Sequence, residues 1–398
     1  MKNFISVSNI VDNNPTDEPI HIFRENSLKS ACNFFTQNFA GRVLYAVKTN
    51  PSQEIISRIY NFGITNFDVA SLAEIKLVKE IAPEAKLFFM HTVKSRSAIR
   101  QAYYNYGVRD FSVDSHEELE KIIDETDNAQ DVGIFVRLSI PNSYSEYNLA
   151  DKFGVDMKDA PSLIKKARNF AKKLGICFHV GSQCMHPDAY RIAIRMAKNL
   201  VVKSGVTIEA LDVGGGFPSV YPGMIPPAMS QFFKAIYDEF KKFKNHRSIE
   251  LMCEPGRAIV AESGSVLVRV DLRKNNFLYI NDGTYGSLFD AGTPQFIFPT
   301  KLYKKSGGNG SENLIPFSFF GPTCDTLDFM KGPFFLPEDT EEGDYIEIGQ
   351  LGAYGRTMAT NFNGFKPFDE TILVDEAPLM TMYDDFGSDA EPHESIAA

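Results

Sequence analysis

Between Gly41 and Gly256 the chain repeats one pattern eight times: a short apolar or β-branched run, a polar or glycine-rich break, and a stretch with helical periodicity. Such an alternation of strands and helices over roughly 215 residues fits a (β/α)8 barrel, a fold of ~250 residues. A doubly wound open sheet is the alternative. The predicted strands are 43–47, 67–70, 87–90, 111–113, 134–138, 176–180, 210–213 and 249–253. The predicted helices are 53–62, 72–80, 95–106, 116–125, 160–173, 189–204 and 227–244.

Residues of types that often carry chemistry stand at or just past the carboxyl end of each predicted strand. Active sites of (β/α)8 barrels lie on the face where the carboxyl ends of the strands meet. This placement favours the barrel over the open sheet and predicts a functional site on that face. The residues concerned are Lys48, Asp68, His91, Asp114, Arg137, His179, Gly214 and Glu254.

After about residue 262 the sequence changes to short runs of alternating apolar and polar residues, separated by Gly, Pro and Asn. This change predicts a barrel domain at 31–262 and a C-terminal β domain, a sandwich or a barrel, at 263–383. Residues 1–30 show no helical pattern and are expected to join the β domain with one or more strands. The acidic tail 384–398 is expected to be disordered.

The composition narrows the range of functions. A net charge of -10 and an isoelectric point near 5.3 argue against a nucleic-acid partner, because binding phosphates requires clustered Lys and Arg. The absence of an 18-residue apolar window or an apolar leader predicts a cytoplasmic protein that does not act at a membrane. The five cysteines include no CxxC pair, so we expect reduced thiols and no metal site.

The segment YAVKTN places Lys48 at the end of an apolar strand. A lysine in this position is either a surface residue or a desolvated amine with a lowered pKa that attacks a carbonyl. Its place on the predicted active face of a barrel favours the nucleophile.

Two glycine-containing segments follow neighbouring predicted strands. The loop 213–217, VGGGF, would let backbone N–H groups approach a phosphate closely, although a tight turn explains it equally well. The segment 254–257, EPGR, adds a carboxylate, another glycine and a cation. A buried glutamate that faces a pyridine nitrogen would keep that nitrogen protonated.

Three further motifs combine reactive side chains with turns. HVGSQ carries His179, whose flat ring could lie against a cofactor ring, and Ser182, which could reach an anion. GPTCD carries Cys324 and Asp325, a thiol beside a carboxylate, and GAY carries Tyr354. Each of them also has an ordinary structural explanation when taken alone.

In this order YAVKTN, HVGSQ, GGGF, EPGR, GPTCD and GAY resemble the ornithine/diaminopimelate/arginine decarboxylase family, the fold-type III group that includes the eukaryotic-type ornithine decarboxylases. The resemblance runs from about residue 25 to residue 365. It implies an alanine-racemase-like (β/α)8 barrel that binds pyridoxal 5'-phosphate, a C-terminal β domain, and decarboxylation of a basic L-amino acid.

The resemblance also implies a role for each matching position. Lys48 would hold the cofactor as a Schiff base, His179 would stack on its ring, and Glu254 would pair with the pyridine nitrogen. The polar network around the lysine would be Asp68, Glu74 and Arg137. The phosphate binders would be Ser182, Gly215, Gly216, Gly256, Arg257 and Tyr354.

For the substrate the resemblance implies that Cys324 returns a proton to Cα after carbon dioxide leaves, and that Asp325 holds the distal ammonium group. In this family both residues reach the site from a partner subunit, which implies a homodimer with shared active sites. Cysteine followed by aspartate is the ornithine-type pattern, whereas diaminopimelate enzymes usually have glutamate there. One methylene separates ornithine from lysine, so dual specificity stays open.

Two other segments bear on the substrate. After NDGTYGS, which contains Tyr285, a segment that is longer in ornithine enzymes is shortened to Leu288-Phe289-Asp290. The resemblance makes Tyr285 and Asp290 candidate substrate binders. The segment 139–149 corresponds to a mobile loop that closes over the substrate in the family.

Two alternative functions stay open. A racemase of the related barrel family would use a lysine and a tyrosine as opposed bases and would lack the thiol and carboxylate of GPTCD. A non-catalytic, decarboxylase-like regulatory protein would bind partner proteins, but such chains tend to lose cofactor residues that this chain keeps.

Overall fold

The computed structural model describes residues 2–14, 16–140, 144–147, 152–308, 310–365 and 371–383. The predicted disordered tail at 384–398 lies outside the described residues, and so does part of the predicted closing loop at 139–149. The predicted limits of the domains are not tested by the structure and stay a prediction.

The described residues form strands and α-helices in an order that alternates through the first two thirds of the chain. The strands are β1 (Lys2–Phe4), β2 (Ile20–Phe23), β3 (Arg42–Ala46), β4 (Asn66–Val69), β5 (Lys86–Phe89), β6 (Asp110–Val113), β7 (Gly133–Leu138), β8 (Ser145–Tyr147), β9 (Lys173–Phe178), β10 (Ser182–Cys184), β11 (Ala210–Asp212), β12 (Glu250–Cys253), β13 (Gly264–Lys274), β14 (Phe277–Ile280), β15 (Thr300–Tyr303), β16 (Leu314–Phe320), β17 (Phe329–Pro337), β18 (Tyr345–Ile348) and β19 (Thr371–Val374). The α-helices are α1 (Val7–Asn13), α2 (Glu25–Asn38), α3 (Gln53–Asn61), α4 (Leu72–Ile81), α5 (Arg96–Tyr106), α6 (His116–Glu125), α7 (Ala160–Phe170), α8 (Asp188–Ser204), α9 (Met229–Phe240), α10 (Arg257–Val260) and α11 (Phe289–Gly292).

Eight parallel strands close into a barrel in the order β3-β4-β5-β6-β7-β9-β11-β12. The last strand pairs with the first, with Met252 opposite Arg42 and Cys253 opposite Val43. Each barrel strand coincides with a predicted strand to within a few residues. The predicted (β/α)8 barrel is therefore confirmed, and the open sheet is excluded.

The C-terminal domain is a nine-stranded sheet that includes the N-terminal strands β1 and β2. The first half of its long strand β13 pairs with β2 on one edge and with β18 on the other, and the second half pairs with β14. The prediction of a β domain joined by N-terminal strands is confirmed. Because β2 lies in this sheet and α2 leads directly into the barrel, the chain starts in one domain, passes through the other and returns.

Residues 1–30 contain a helix, α1, although their sequence shows no helical pattern. Helix α1 begins after Ser6, whose hydroxyl accepts the N–H of Asn9, and it buries Val7 and Ile10. Seven residues are two turns, too short for a helical period to stand out in a sequence. Helix α2 begins at Glu25, before the predicted start of the barrel domain at residue 31.

An apolar floor fills the inside of the barrel. The residues of this cluster are all buried: Leu44, Phe88, Met90, Phe135, Cys177, Ala210 and Met252. A larger cluster lies between the strands and the surrounding helices. Because the interior is packed rather than open, polar groups on the inner side of the strands collect above this floor.

Arg24 joins three strands of the β domain through one buried ion pair. Its guanidinium donates to Glu347 on β18 at 2.6 Å and to Ser265 on β13 at 2.8 Å. The side chains of Arg24 and Glu347 are 2% and 0% exposed. Removing the cation would leave a carboxylate buried without its counter-charge.

We therefore predict that Arg24→Met lowers the free energy of unfolding by about 3–5 kcal/mol, because the charge on Glu347 stays buried and unpaired. Lys234→Met is the control, since it removes an exposed i,i+4 pair with Asp238 and should cost less than about 0.5 kcal/mol. Urea denaturation followed by circular dichroism measures both. Equal losses for the two variants would contradict the structural role of the buried pair.

Candidate active site

The inner face of the barrel strands places the candidate side chains. Alternate residues of a strand point to the same side. Phe135, Cys177, Ala210 and Met252 belong to the buried floor of the barrel, so the residues two positions further along stand above that floor. Those residues are Arg137, His179, Asp212 and Glu254.

Lys48 lies in a single 3-10 turn, Val47–Thr49, immediately after β3. The side chain of Lys48 is accessible to solvent from the mouth of the barrel. Its amine is nevertheless surrounded by many protein atoms, so its charge is partly desolvated. Burial lowers the pKa of Lys48, but the charges of Asp68, Tyr354 and Glu254 outweigh burial and raise the pKa overall. The expectation of a lowered pKa is therefore not met, because carboxylates converge on this amine.

Asp68 and Glu74 supply acid groups close to this lysine. Asp68 is 6% exposed at the end of β4, and burial raises its pKa although Lys48 and Arg137 act in the opposite direction. Glu74 lies in the first turn of α4 and accepts the N–H of Ala70 at 2.6 Å. Burial also raises the pKa of Glu74.

Glu254, which is half-buried, and Asp212, which is fully buried, form a pair of acids at the ends of neighbouring strands. Burial, followed by the charges of Asp212 and Asp68, raises the pKa of Glu254 well above its ordinary value. Burial raises the pKa of Asp212 to about 7 even though its Oδ1 accepts the N–H of Gly214 at 2.8 Å. Two acids this close disfavour the doubly ionised pair, so the pair retains a proton to a higher pH than either acid would alone. The sequence prediction named Glu254 and missed Asp212.

His179 is held as a neutral ring above the floor of the barrel. Its Nδ1 accepts the N–H of Gly181 at 3.0 Å, so the ring proton is assigned to Nε2. Burial and the charges of Lys48 and Arg137 lower the pKa of His179 well below its usual value. A neutral, fixed imidazole is suited to stacking against a flat aromatic group.

The loop after β11 forms a backbone cradle that side chains would fill. Gly214 and Gly216 have φ angles of +70° and +96°, which favour glycine. A Cβ on Gly214 would lie 2.0 Å from the carbonyl oxygen of Phe178, and one on Gly216 would lie 2.3 Å from that of Gly181. Gly215 has no room either, since its Cβ would lie 2.7 Å from the carbonyl oxygen of Glu254.

The cradle fits the phosphate of a cofactor such as pyridoxal phosphate, because a loop without side chains exposes N–H groups to an anion. The nearby Gly256 is equally crowded, since its Cβ would lie 2.1 Å from Thr49 Oγ1. Ser182 opens the short strand β10 beside the cradle, where it pairs with Tyr147.

Arg257 contributes a buried cation at the same end of the barrel. It donates to the hydroxyl of Tyr221 at 2.8 Å and to Asp290 at 3.1 Å, while its Nε is buried without a hydrogen-bond partner. Its guanidinium lies 5.1 Å from the ring centre of Tyr354. A buried cation with an N–H group to spare fits a phosphate binder.

The structure places Asp290, a candidate substrate binder, against this arginine. Asp290 is buried in α11 and forms the ion pair with Arg257. It therefore lies with the predicted phosphate binders, and its contact with substrate stays a prediction.

The remaining strand-end residues meet the segment 152–155, which returns to the barrel after the predicted closing loop. His91 and the guanidinium of Arg137 lie 5.3 Å and 5.4 Å from the ring centre of Phe153. Asp114 accepts the N–H of Gly154 at 3.0 Å. This segment forms one wall of the barrel mouth.

A second group of candidate residues lies together in the β domain. The hydroxyl of Tyr285 donates to Asp325 Oδ2 at 2.6 Å, and the N–H of Cys324 donates to the side chain of Asn363 at 3.1 Å. Cys324 is exposed, whereas the other four cysteines are buried. In the part of the chain that the structure describes, the hydrogen bonds of Tyr285, Cys324 and Asp325 go to one another or to neighbouring residues of the β domain, not to Lys48 or Glu254.

Sequence reasoning missed several residues that hold the cradle in place. Tyr190 on α8 donates its hydroxyl to the carbonyl oxygen of Gly215 at 2.9 Å, and the N–H of Cys184 donates to that of Gly216 at 2.9 Å. Asp212 had a usable signal, since it is the one acidic residue in the apolar run that precedes GGG. The other two act through tertiary contacts that a sequence does not display.

Residues 25–261 match the family model described as "Pyridoxal-dependent decarboxylase, pyridoxal binding domain". An ornithine decarboxylase of Panagrellus redivivus is 31% identical over 362 residues, which cover 84% of this chain and 80% of the relative. Antizyme inhibitor 2 of Xenopus laevis is 32% identical over 357 residues, which cover 81% of this chain and 73% of the relative.

Solved structures are similar over almost their whole length. The arginine decarboxylase of Paramecium bursaria Chlorella virus, bound to agmatine, has a TM-score of 0.81 at 26% identity and covers 92% of this chain and 98% of its own. The lysine/ornithine decarboxylase of Vibrio vulnificus, complexed with putrescine, has a TM-score of 0.77 at 27% identity and covers 93% and 99%.

We predict that Gly216→Ala weakens binding of pyridoxal phosphate by more than about tenfold, because the new Cβ meets a carbonyl oxygen and the cradle must shift. Gly223→Ala is the matched control, since Gly223 also has a positive φ, +78°, but no atom lies within 4 Å of its Cβ. Titration of the cofactor by absorbance gives both dissociation constants. Unchanged affinity in Gly216→Ala would exclude this loop as the anion site.

Proposed function

Because the chain belongs to the family of pyridoxal-phosphate-dependent decarboxylases of basic amino acids, we propose that it converts L-ornithine to putrescine, a step of polyamine biosynthesis. The observation that carries the decarboxylase part of this proposal is the convergence of an amine, an acid pair and a glycine cradle at the mouth of one barrel, and the preference for ornithine rests on Asp325. Lys48, Glu254 and Gly216 each come from a different strand end.

The residues present fit pyridoxal phosphate. Lys48 would hold it covalently through Nζ, and the proton kept on the acid pair of Glu254 and Asp212 would face its ring nitrogen. The phosphate binders would be Ser182, Gly215, Gly216, Gly256, Arg257 and Tyr354. When bound, the cofactor supplies the electron sink for the pair released as the bond from Cα to the carboxylate breaks.

Side chains of the protein determine which groups of the site carry protons. The raised pKa of Glu254 favours retention of a proton in the site to a higher pH than a free carboxyl would allow. The lowered pKa of His179 keeps its ring uncharged, so that the ring packs flat without adding charge. Lys48 Nζ takes up and returns a proton as the substrate amine enters and the product leaves.

Cys324 and Asp325 complete the site in this proposal when a second copy of the chain brings its β domain to the barrel mouth. An exposed thiol beside a fixed carboxylate suits residues that act across an interface. Cys324 would deliver the proton to Cα, and Asp325 would bind the distal ammonium group. This requires a homodimer with shared active sites.

The preference for ornithine depends on a carboxylate that stays charged. The N–H of Leu327 and the hydroxyl of Tyr285 lower the pKa of Asp325, so it stays charged to a more acidic pH than a free aspartate. A carboxylate selects a distal amine by a charge-assisted hydrogen bond. Lysine and arginine also carry a distal cation, and decarboxylases of both are among the similar proteins.

The alternative from a different class is a regulatory protein without activity, favoured by the likeness to antizyme inhibitor 2. Against it stand the lysine, the acid pair and the glycine cradle, which a binding protein does not need. A racemase is less suited, because GPTCD supplies a thiol and a carboxylate that racemisation does not use.

No helix among the described residues has the length and apolarity needed to cross a membrane. We propose a cytoplasmic location on the basis of the composition and of the proposed substrate.

The test is carbon dioxide release from ornithine, lysine, arginine, 2,4-diaminobutyrate and diaminopimelate by wild type and Asp325→Asn. We predict the highest kcat/KM with ornithine, and a loss of about 10–100-fold in Asp325→Asn for substrates with a distal cation, because a charge-assisted hydrogen bond is worth about 1.5–3 kcal/mol. L-norvaline, which lacks the distal amine, should bind the variant and the wild type equally well.

Asp339→Asn is the control, since Asp339 is a half-exposed carboxylate of the same domain that accepts the N–H of Ser311. Release from lysine or arginine at a higher kcat/KM would replace ornithine as the substrate. Cofactor binding without release from any amino acid would favour the regulatory protein.

A further inference from the structure

Two buried glutamines adopt a backbone conformation that glutamine rarely takes. Gln183 and Gln350 have φ angles of +54° and +61°, and they are 0% and 2% exposed. A side chain in this region costs on the order of 1 kcal/mol or more, and it persists only where surrounding contacts fix it. The motif HVGSQ ends in the first glutamine, and the second lies two residues before the GAY motif.

Both side chains form hydrogen bonds with the backbone of two consecutive residues, Ser219 and Val220. Gln183 Nε2 donates to the carbonyl oxygen of Ser219 at 2.6 Å, and the N–H of Ser219 donates to Gln183 Oε1 at 3.0 Å. Gln350 Nε2 donates to the carbonyl oxygen of Val220 at 2.8 Å. The amide of Gln183 therefore satisfies a backbone donor and a backbone acceptor at once, as a neighbouring strand would.

The segment 217–221, which contains these two residues, connects the glycine cradle to the partner of Arg257. It begins after Gly216, whose carbonyl oxygen accepts the N–H of Cys184, the residue that follows Gln183. It ends at Tyr221, whose hydroxyl accepts from Arg257. Fixing residues 219 and 220 therefore fixes the glycine loop on one side and the partner of the buried cation on the other.

The two glutamines come from different domains. Gln183 belongs to the barrel, on strand β10 next to Ser182. Gln350 follows β18 of the β domain and precedes Tyr354, whose N–H donates to the carbonyl oxygen of Thr49, next to Lys48. The hydrogen bonds of Gln183 and Gln350 to Ser219 and Val220, which we call the junction, therefore connect three loops that carry candidate phosphate binders.

We propose that Gln183 and Gln350 are positioning residues that hold these three loops in the arrangement that binds the cofactor phosphate. The proposal rests on pyridoxal phosphate as the cofactor. A loop held in its binding conformation does not lose conformational freedom when the anion binds, so the hydrogen bonds of the glutamines increase affinity without touching the phosphate.

This role has a signature that a structural role lacks. Glycine at either position relieves the strain of a positive φ while it removes the side-chain hydrogen bonds, and these two effects on folding oppose each other. Relief of strain offsets only part of the loss of these buried hydrogen bonds, so the unfolding temperature should fall modestly. A general loss of stability would weaken binding of pyridoxal and of pyridoxal phosphate alike. The affinity for the phosphate group should fall, because the loops are no longer held together.

The experiment compares Gln183→Gly, Gln350→Gly and the double variant with wild type. The apo-protein is titrated with pyridoxal phosphate and, separately, with pyridoxal, which lacks the phosphate. Gln295→Gly is the control, since Gln295 has a φ of +61° but is exposed and lies outside the junction. Thermal denaturation of each apo-protein is recorded alongside.

We expect each single variant to raise the dissociation constant of pyridoxal phosphate about tenfold and that of pyridoxal less than about twofold, as loss of one or two hydrogen bonds would do. The double variant should weaken binding by less than the product of the two single effects, because both glutamines hold the same segment. Gln295→Gly should leave both constants unchanged.

Equal weakening for the two ligands, or unchanged constants in all variants, would overturn the proposal while leaving the cofactor assignment intact. Failure of wild type to prefer pyridoxal phosphate over pyridoxal would overturn both. If a glycine variant fails to fold, Gln183→Met and Gln350→Met make the same comparison, since methionine keeps the length of the side chain, cannot donate to the carbonyl oxygens of Ser219 and Val220, and adds no charge near the phosphate.

Discussion

The site depends on a set of charges that the barrel holds above an apolar floor. Glu254, Asp212 and Asp68 stand on the inner side of three strands, and Lys48 reaches into the space between them. Burial makes it costly for all three acids to be ionised together, so the site retains a proton to a higher pH than free carboxyls would. That retained proton and the neighbouring amine are the two features on which the proposed chemistry rests, because one would face the ring nitrogen of the cofactor and the other would hold its aldehyde carbon.

Most of the fold was predictable because the barrel repeats a period that a sequence displays. Each strand is an apolar run followed by a helix with an apolar face, and the predicted strand at 111–113 ends where β6 ends. Helix α1 was missed because Val7 and Ile10 are one turn apart in a seven-residue helix, which leaves no period to detect. The path of the chain from the β domain through the barrel and back depends on pairing between β2 and β13, which no local pattern encodes.

The site was predictable where residues follow strand ends and less so where tertiary contacts decide. The strand-end rule found Lys48 and Glu254, and glycine content found the cradle. Asp212 raises the pKa of Glu254, and Gln183 accepts the N–H of Ser219, only because the fold brings distant segments together. The raised pKa of Lys48 could not be predicted from the sequence either, because burial alone would lower the pKa of a lysine.

We expect the amine of Lys48, and no other lysine, to bind the cofactor covalently. Reduction of the loaded protein with borohydride, followed by proteolysis and mass spectrometry, locates the modified lysine directly. We predict a pyridoxyl-phosphate adduct on the peptide that contains YAVKTN, and loss of that adduct in Lys48→Ala. An adduct at another lysine, such as the buried Lys94, or no adduct on a protein that binds the cofactor, would contradict it.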